Sequence, residues 1–189
     1  MRTRGHSDRA ELVARILGSA GEWGAVWVAI GLVAAAADSR RRTRWLRATP
    51  IAPAAVGLNY LVKVAARRRR PRLRRLPPLA SAPSELSFPS AHATASLAAA
   101  TAYGRIAPGS RPPLFALAVA LCVTRPYLGM HYPSDVLGGA ALGLALGRLW
   151  PGLAEKAAED RLIDLVMDAA DARSRDGSGA EGRAAAKSR

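Results

Sequence analysis

Three short stretches of this 189-residue chain concentrate side chains that bind anions and move protons. The first runs from Lys63 to Pro71 and includes Arg67, Arg68, Arg69 and Arg70. Lys63 and Arg70 lie two helical turns apart, so a continuous helix would put them on one face. The second stretch holds Ser87, Pro89, Ser90, Ala91 and His92. Ser90 suits an N-cap, and a helix opening there presents free backbone N–H groups and a positive dipole end to an anion, with His92 in its first turn. The third holds Thr124, Arg125, His131, Pro133 and Asp135. Pro133 suits a helix start, which leaves His131 at the mouth of that helix and Asp135 in its first turn. A carboxylate on one imidazole nitrogen sets the tautomer and leaves the other nitrogen nucleophilic. Arg125 adds a fork that fits a phosphate or a carboxylate.

Each cluster alone has a plainer explanation: a positive stop at a membrane edge for the first, a surface histidine at a helix start for the second. Together they supply several cations, two imidazoles and one orienting carboxylate, an inventory that fits phosphoryl transfer through a histidine. Glu85 and Asp135 are the only acids between residues 39 and 154, so no acidic cluster is available for Mg²⁺. Cations of the protein must then neutralise the phosphate, and neither a metal nor a cofactor is expected. Of the 28 basic residues only Lys63, Lys156 and Lys187 are lysine. A lysine beside four arginines in such a chain indicates that ammonium geometry is wanted at position 63.

The clusters need elements to hold them, and the hydropathy pattern supplies five apolar stretches: Trp23 to Ala37, Thr49 to Ala66, Ser90 to Tyr103, Leu114 to Val123 and Ser134 to Trp150. Each chemical cluster falls where one of these meets a loop. Gly139, Gly143 and Gly147 repeat at spacings of four, which lets helices approach closely. Half of the residues are apolar, the net charge is +14, and the arginines fall in blocks between the apolar stretches. That patterning predicts an all-α, multi-span transmembrane bundle of about five spans with basic interfacial loops, although the mean hydropathy is near zero. The spans are short, and a soluble all-α core is the competing reading. The lone Cys122 excludes an intramolecular disulfide.

The expected organisation is a basic N-terminal segment over 1–21 that forms an interfacial helix, a transmembrane domain over 22–152, an amphipathic helix over 153–172 and a disordered tail over 173–189. The Arg40–Arg47 stretch reads as a basic loop.

The three clusters, in order, resemble the signature motifs of the type 2 phosphatidic acid phosphatase family, integral-membrane lipid phosphate phosphatases. The pattern is Lys63 with Arg70-Pro71, then Pro89-Ser90 with His92, then Arg125 with His131 and Asp135. The resemblance implies that His131 attacks phosphorus to form a phosphohistidine and that Asp135 supports it. It implies that His92 protonates the leaving oxygen and then helps to activate water. Lys63, Arg70, Ser90 and Arg125 would bind phosphate oxygens, with the backbone around Ala91. Two residues depart from the family pattern, Ala91 where it usually has glycine and Thr124 where it usually has serine. The family commonly has six spans.

The resemblance implies a lipid phosphate substrate in the bilayer, a multi-pass cell-membrane location and no nucleic-acid partner; homo-oligomerisation stays open. Among substrates, polyprenyl-linked phosphates or diphosphates are favoured by analogy with small bacterial members. Phosphatidic acid and phosphatidylglycerol phosphate stay open. A vanadate-dependent haloperoxidase shares the phosphate motifs but is larger and soluble. A non-enzymatic membrane protein that binds anionic lipid through its basic loops explains the arginines but not the histidines. Five spans put all three clusters on one membrane face. Basic residues divide evenly between the two faces, and discounting the 67–75 block as substrate-binding tips the site toward the extracytoplasmic side.

Overall fold

The computed structural model describes residues 7–71, 79–80, 84–152 and 154. Apart from one isolated bridge between Arg69 and Leu86, the regular elements among them are helical. They are α1 (Asp8–Ala20), α2 (Ala25–Ala37), α3 (Arg42–Ala48), α4 (Ile51–Ala66), α5 (Ala91–Ile106) and α6 (Arg111–Tyr127), with α7 over 133–152. The chain divides into a unit up to Pro151 and a C-terminal unit from Gly152. The expected helix over 153–172 and tail over 173–189 lie outside the described residues except for residue 154, as do residues 1–6.

Helices α2, α4, α5, α6 and α7 fall on the five apolar stretches. Helix α3 was not anticipated, because its sequence is a run of arginines. Its inward side is Trp45 and Ala48, both buried, while Arg40, Arg41, Arg42, Arg44 and Arg47 all point outward. Asp38 sets the turn into it, accepting from the Arg41 N–H at 3.2 Å and the Trp45 indole N–H at 3.4 Å.

Helix α5 is the centre of the bundle. Its run of Ala, Ser, Thr and Gly is buried on nearly every side from Ala93 to Gly104. Small side chains let neighbours close in, and the hydroxyls bond across helices where no water is at hand. Thr94 accepts from Asn59 of α4 at 2.9 Å, and Ser96 accepts from the Trp27 indole of α2 at 3.0 Å. Tyr103 donates to the Trp27 carbonyl at 2.8 Å and meets Trp45 edge-on, ring centres 5.4 Å apart. The glycine stripe of α7 lies against α5 as its spacing requires. A Cβ at Gly139 would come 2.5 Å from the Ser90 carbonyl, one at Gly143 would collide with the Thr94 carbonyl, and one at Gly147 would sit 2.5 Å from Thr101.

Helix α1 forms where an interfacial helix is expected, capped by Ser7, which accepts from the Ala10 N–H at 3.2 Å. The side that packs onto the bundle is its small residues, Ala14 and Gly18, while Leu12, Val13 and Ile16 are exposed. Other large apolar residues also face outward, among them Leu32 and Val33 of α2, Leu61 of α4, Val119 of α6 and Leu137 of α7. An outward apolar surface on several helices is the inverse of a water-soluble bundle. No single described helix is both long and apolar enough to cross a membrane by itself. The pair α1 and α2, with the turn between them and a bend of 51°, passes that test together.

Candidate active site

The ends of α4 and α6, the starts of α5 and α7, and the α1–α2 turn meet around one cavity of about 640 Å³. Lys63, Arg70, Arg125, His92, His131 and Ala91 line it, and Pro53, Val56, Gly57 and Tyr60 of α4 supply a largely apolar wall. Helical geometry explains the meeting. Alternating up-and-down helices bring the C-termini of α4 and α6 to the same end as the N-termini of α5 and α7, although the residues are up to 72 positions apart in the chain, from Lys63 to Asp135.

Lys63 sits in the last turn of α4, buried, and donates to the Leu86 carbonyl at 3.2 Å. The helix ends four residues later, where Arg67 adopts a left-handed conformation (φ 49°), so Lys63 and Arg70 do not share a continuous helix face as their spacing suggested. The chain turns back instead, and Arg70 reaches the site from an extended segment held to residues 84–87. Its backbone N–H donates to the Glu85 carbonyl at 3.1 Å, and its guanidinium donates to the carbonyls of Ser84 at 2.7 Å and Met130 at 2.8 Å.

The Arg70 guanidinium also lies 3.2 Å from Nε2 of His131. A guanidinium has no lone pair to offer, so Nε2 is the acceptor and the ring proton is on Nδ1. That Nδ1 points at Oδ2 of Asp135, 3.6 Å away, longer than a hydrogen bond but the nearest anion. Asp135 is fully buried and tightly held: Oδ2 accepts from the Tyr132 N–H at 2.8 Å, and Oδ1 accepts from Arg68 at 3.0 Å. Burial pushes the His131 imidazole down to about 4; Asp135 opposes the shift, and Arg70, Lys63 and Arg125 reinforce it. The ring is therefore neutral at physiological pH, with the Nε2 lone pair toward the cations. Burial also lowers the Arg70 guanidinium from its ordinary value, with Asp135 and Glu85 opposing.

His92 stands in the first turn of α5. Its Nε2 lies 2.8 Å from the Gly18 carbonyl of α1, which can only accept, so Nε2 carries a proton. The approach of α1 depends on missing side chains. A Cβ at Gly21 would lie 2.8 Å from Cδ2 of His92, and one at Gly18 would lie 3.0 Å from the Arg125 guanidinium.

Ser90 occupies the N-cap position of α5, but its hydroxyl makes no capping bond. It is fully buried and its Oγ has no hydrogen-bond partner among the described residues; its N–H donates to the Asp135 carbonyl at 2.9 Å, which staples the starts of α5 and α7. Thr124 bonds back to the Leu121 carbonyl at 2.7 Å, so its hydroxyl serves the helix rather than the cavity. Ala91 lines the cavity.

All eight residues read from the sequence thus gather at one end of the bundle, six of them on the cavity wall and Ser90 and Asp135 fully buried behind their neighbours in the chain. Sequence reasoning missed Arg68, which donates to Asp135 and to Ser134 Oγ at 2.8 Å while lying over the Tyr132 ring at 4.4 Å. In a run of four arginines nothing marks it out. It also missed the α1–α2 turn, whose Gly21, Glu22 and Trp23 line the cavity. Among the described residues no group of three or more metal-ligating side chains comes together.

A family model of the PAP2 superfamily matches residues 49–158, and the chain belongs to that superfamily. It is a phosphatase of the lipid phosphate class, built on the transmembrane helical fold of the family. Among curated proteins it is similar to the decaprenylphosphoryl-5-phosphoribose phosphatase of Mycobacterium tuberculosis, 42% identical over 136 residues, which is 72% of this chain and 76% of the relative. The enzyme of the same name from Mycolicibacterium smegmatis is 38% identical over 67% of this chain and 69% of its own. Among solved structures it is similar to a transmembrane PAP2-type phosphatidylglycerolphosphate phosphatase from Bacillus subtilis, with a TM-score of 0.62 and 26% identity over 80% of this chain and 79% of that one.

Proposed function

We propose that this protein removes the terminal phosphate of a polyprenyl-linked sugar phosphate, through a phosphohistidine on His131. The observation that carries the chemistry is the cavity in which a neutral, carboxylate-backed imidazole faces Lys63, Arg70 and Arg125. The substrate phosphate takes the Arg70 guanidinium from Nε2 of His131, so binding uncovers the nucleophile and neutralises the phosphate in one exchange. Nε2 then attacks phosphorus as the bond to the sugar oxygen breaks. The Nδ1 proton stays on the ring and faces Asp135, which stabilises the positive imidazole as it forms.

His92 gives a proton to the departing oxygen. In the second half it takes a proton from water as that water attacks the phosphohistidine, and the enzyme returns to its starting state with inorganic phosphate formed. With Nε2–H of His92 held by Gly18, the proton that moves sits on Nδ1: the ring takes it up as the phosphate dianion binds, gives it to the departing oxygen, and regains it from the attacking water. The cations replace a metal: three protein charges surround the phosphate. The apolar wall from α4 offers the lipid a path to the cavity from the side, and the homology to the mycobacterial enzymes supports a polyprenyl tail. The site end of the bundle is assigned to the extracytoplasmic face.

Phosphatidylglycerol phosphate is the second reading, favoured by the Bacillus neighbour. A detergent-solubilised panel separates the two. Phosphate release should give the highest kcat/KM for a polyprenyl-linked sugar phosphate, and a preference for phosphatidylglycerol phosphate would overturn the substrate assignment. In the same assay His131→Ala should abolish both turnover and covalent labelling from phosphate-labelled substrate. His92→Ala should slow turnover while retaining label with a good leaving group. Labelling that survives in His131→Ala and vanishes in His92→Ala would reverse the two roles.

A further inference from the structure

Glu22 and Trp23 line the cavity although no phosphate chemistry calls for them. The other charged side chains on the wall are Lys63, Arg70 and Arg125, with the two histidines beside them. A carboxylate there repels a phosphate, and its attraction to Arg125 competes with the substrate for that guanidinium. Glu22 is exposed and forms no ion pair with the buried Arg125 among the described residues, so its charge acts there only at a distance.

The turn that carries these two residues is built under strain. Trp23 has φ 55° and ψ 10°, a left-handed conformation that bulky residues rarely adopt. Its neighbours hold it there. A Cβ at Gly21 would strike the His92 ring at 2.8 Å, and one at Gly24 (φ 76°) would lie 2.9 Å from Cβ of Ala52 at the start of α4. The turn is therefore wedged between His92 and α4. Trp23 nevertheless lines the cavity and stays 69% exposed instead of being buried in the bundle.

A carboxylate accepts hydrogen bonds and donates none, so it selects hydroxyls. A neighbouring indole offers a flat apolar face with a polar edge. Side by side, the two suit a polyhydroxylated ring with one apolar face. We propose that Glu22 and Trp23 form a headgroup subsite, in which the Glu22 carboxylate accepts from the hydroxyls of the sugar that carries the scissile phosphate and the Trp23 ring covers that sugar's apolar face. The inference rests on the polyprenyl-linked sugar phosphate reading above and names the residues that would read the sugar. Glu22 separates headgroups by charge as well as by hydroxyls: a sugar offers it donors, whereas a diphosphate brings further negative charge beside it.

The test compares kcat/KM of the purified full chain for a polyprenyl-linked pentose phosphate with that for a polyprenyl diphosphate of the same chain length. Glu22→Gln should lower the ratio of the first to the second by about tenfold or more, Trp23→Leu should lower it in the same direction, and Glu22→Asp should restore part of it. An unchanged ratio overturns the subsite, and so does an equal fall on both substrates, which would mean that Glu22 acts only through Arg125. An analogue of the pentose substrate lacking the sugar hydroxyls makes the same test without relying on a variant's folding. Wild-type protein should lose a similar factor on it, and undiminished hydrolysis overturns the subsite. If wild-type protein hydrolyses the diphosphate but not the pentose phosphate, the substrate reading itself fails and the subsite falls with it.

Discussion

Burial disfavours a charged ring at His131, Asp135 works against that and Arg70 adds to it, and the balance puts the imidazole near 4 instead of its ordinary 6.5. A protonated ring has no lone pair for phosphorus. The acid limb of kcat/KM, which reports the free enzyme, should therefore lie well below pH 6. Arg70→Gln removes a positive neighbour, so protonation becomes easier and the limb should move upward, toward 6.5, while the whole profile drops through loss of a phosphate contact. Asp135→Asn removes the opposing influence and should move the limb down. A pH–rate series on the three proteins checks both signs, and a limb that falls in Arg70→Gln would show that Arg70 does not act on the His131 ring. Arg68 belongs to the same arrangement one step further back. It holds Oδ1 of Asp135 at 3.0 Å, so the carboxylate keeps Oδ2 turned to the imidazole.

Helix α1 lies outside the part of the chain that the family model matches, yet its Gly18 carbonyl holds His92. Its contact depends on two glycines for their lack of a side chain rather than for backbone freedom. Gly21 has φ −81°, which alanine adopts without strain, so a substitution there tests space alone. Gly21→Ala should push the His92 ring aside and lower kcat by about tenfold, the scale of a sub-ångström misplacement of a catalytic group. Gly109→Ala, in the turn between α5 and α6 with nothing within 4 Å of its Cβ, should leave turnover unchanged. Stopped turnover assays with thermal unfolding in detergent separate a displaced histidine from a misfolded bundle. Equal activity in the two variants would show that α1 yields freely and does not position His92.

Across the whole molecule, the helices alternate so that Lys63, His92, Arg125 and His131 share one end of the bundle while Ser39 and Ser110 lie in the turns at the other. If α2, α4, α5, α6 and α7 each cross the bilayer, single cysteines at Ser84 and Ser39 in a Cys122→Ala background should react with a membrane-impermeant thiol reagent from opposite sides. Ser110→Cys should behave as Ser39→Cys does. Labelling of Ser84→Cys in intact cells places the site outside the cytoplasm. Reaction of Ser84→Cys and Ser39→Cys from the same side would mean that the number of crossings between them is even.

Residue type and short spacing are local properties, and what depends on them was legible in the chain itself. Five apolar stretches became α2, α4, α5, α6 and α7; the glycines of α7 met α5; and the eight residues singled out gathered at one end. What depends on distant segments was not legible. The Lys63–Arg70 spacing suggested one helix face, but Arg67 ends the helix and Arg70 arrives from an extended segment paired with residues 84–87. The arginine run from Arg40 hid a helix because burial of Trp45 against Tyr103, a residue 58 positions away, decides it. Nothing in four consecutive arginines distinguishes Arg68 from its neighbours until Asp135 is brought beside it. The N-terminal turn joined the site for the same reason: Gly18, Gly21 and Glu22 bear no motif, and only the packing of α1 sets them against His92 and Arg125. A motif records which side chains the chemistry requires, and the contacts that aim those side chains come from surfaces that meet only when the helices pack.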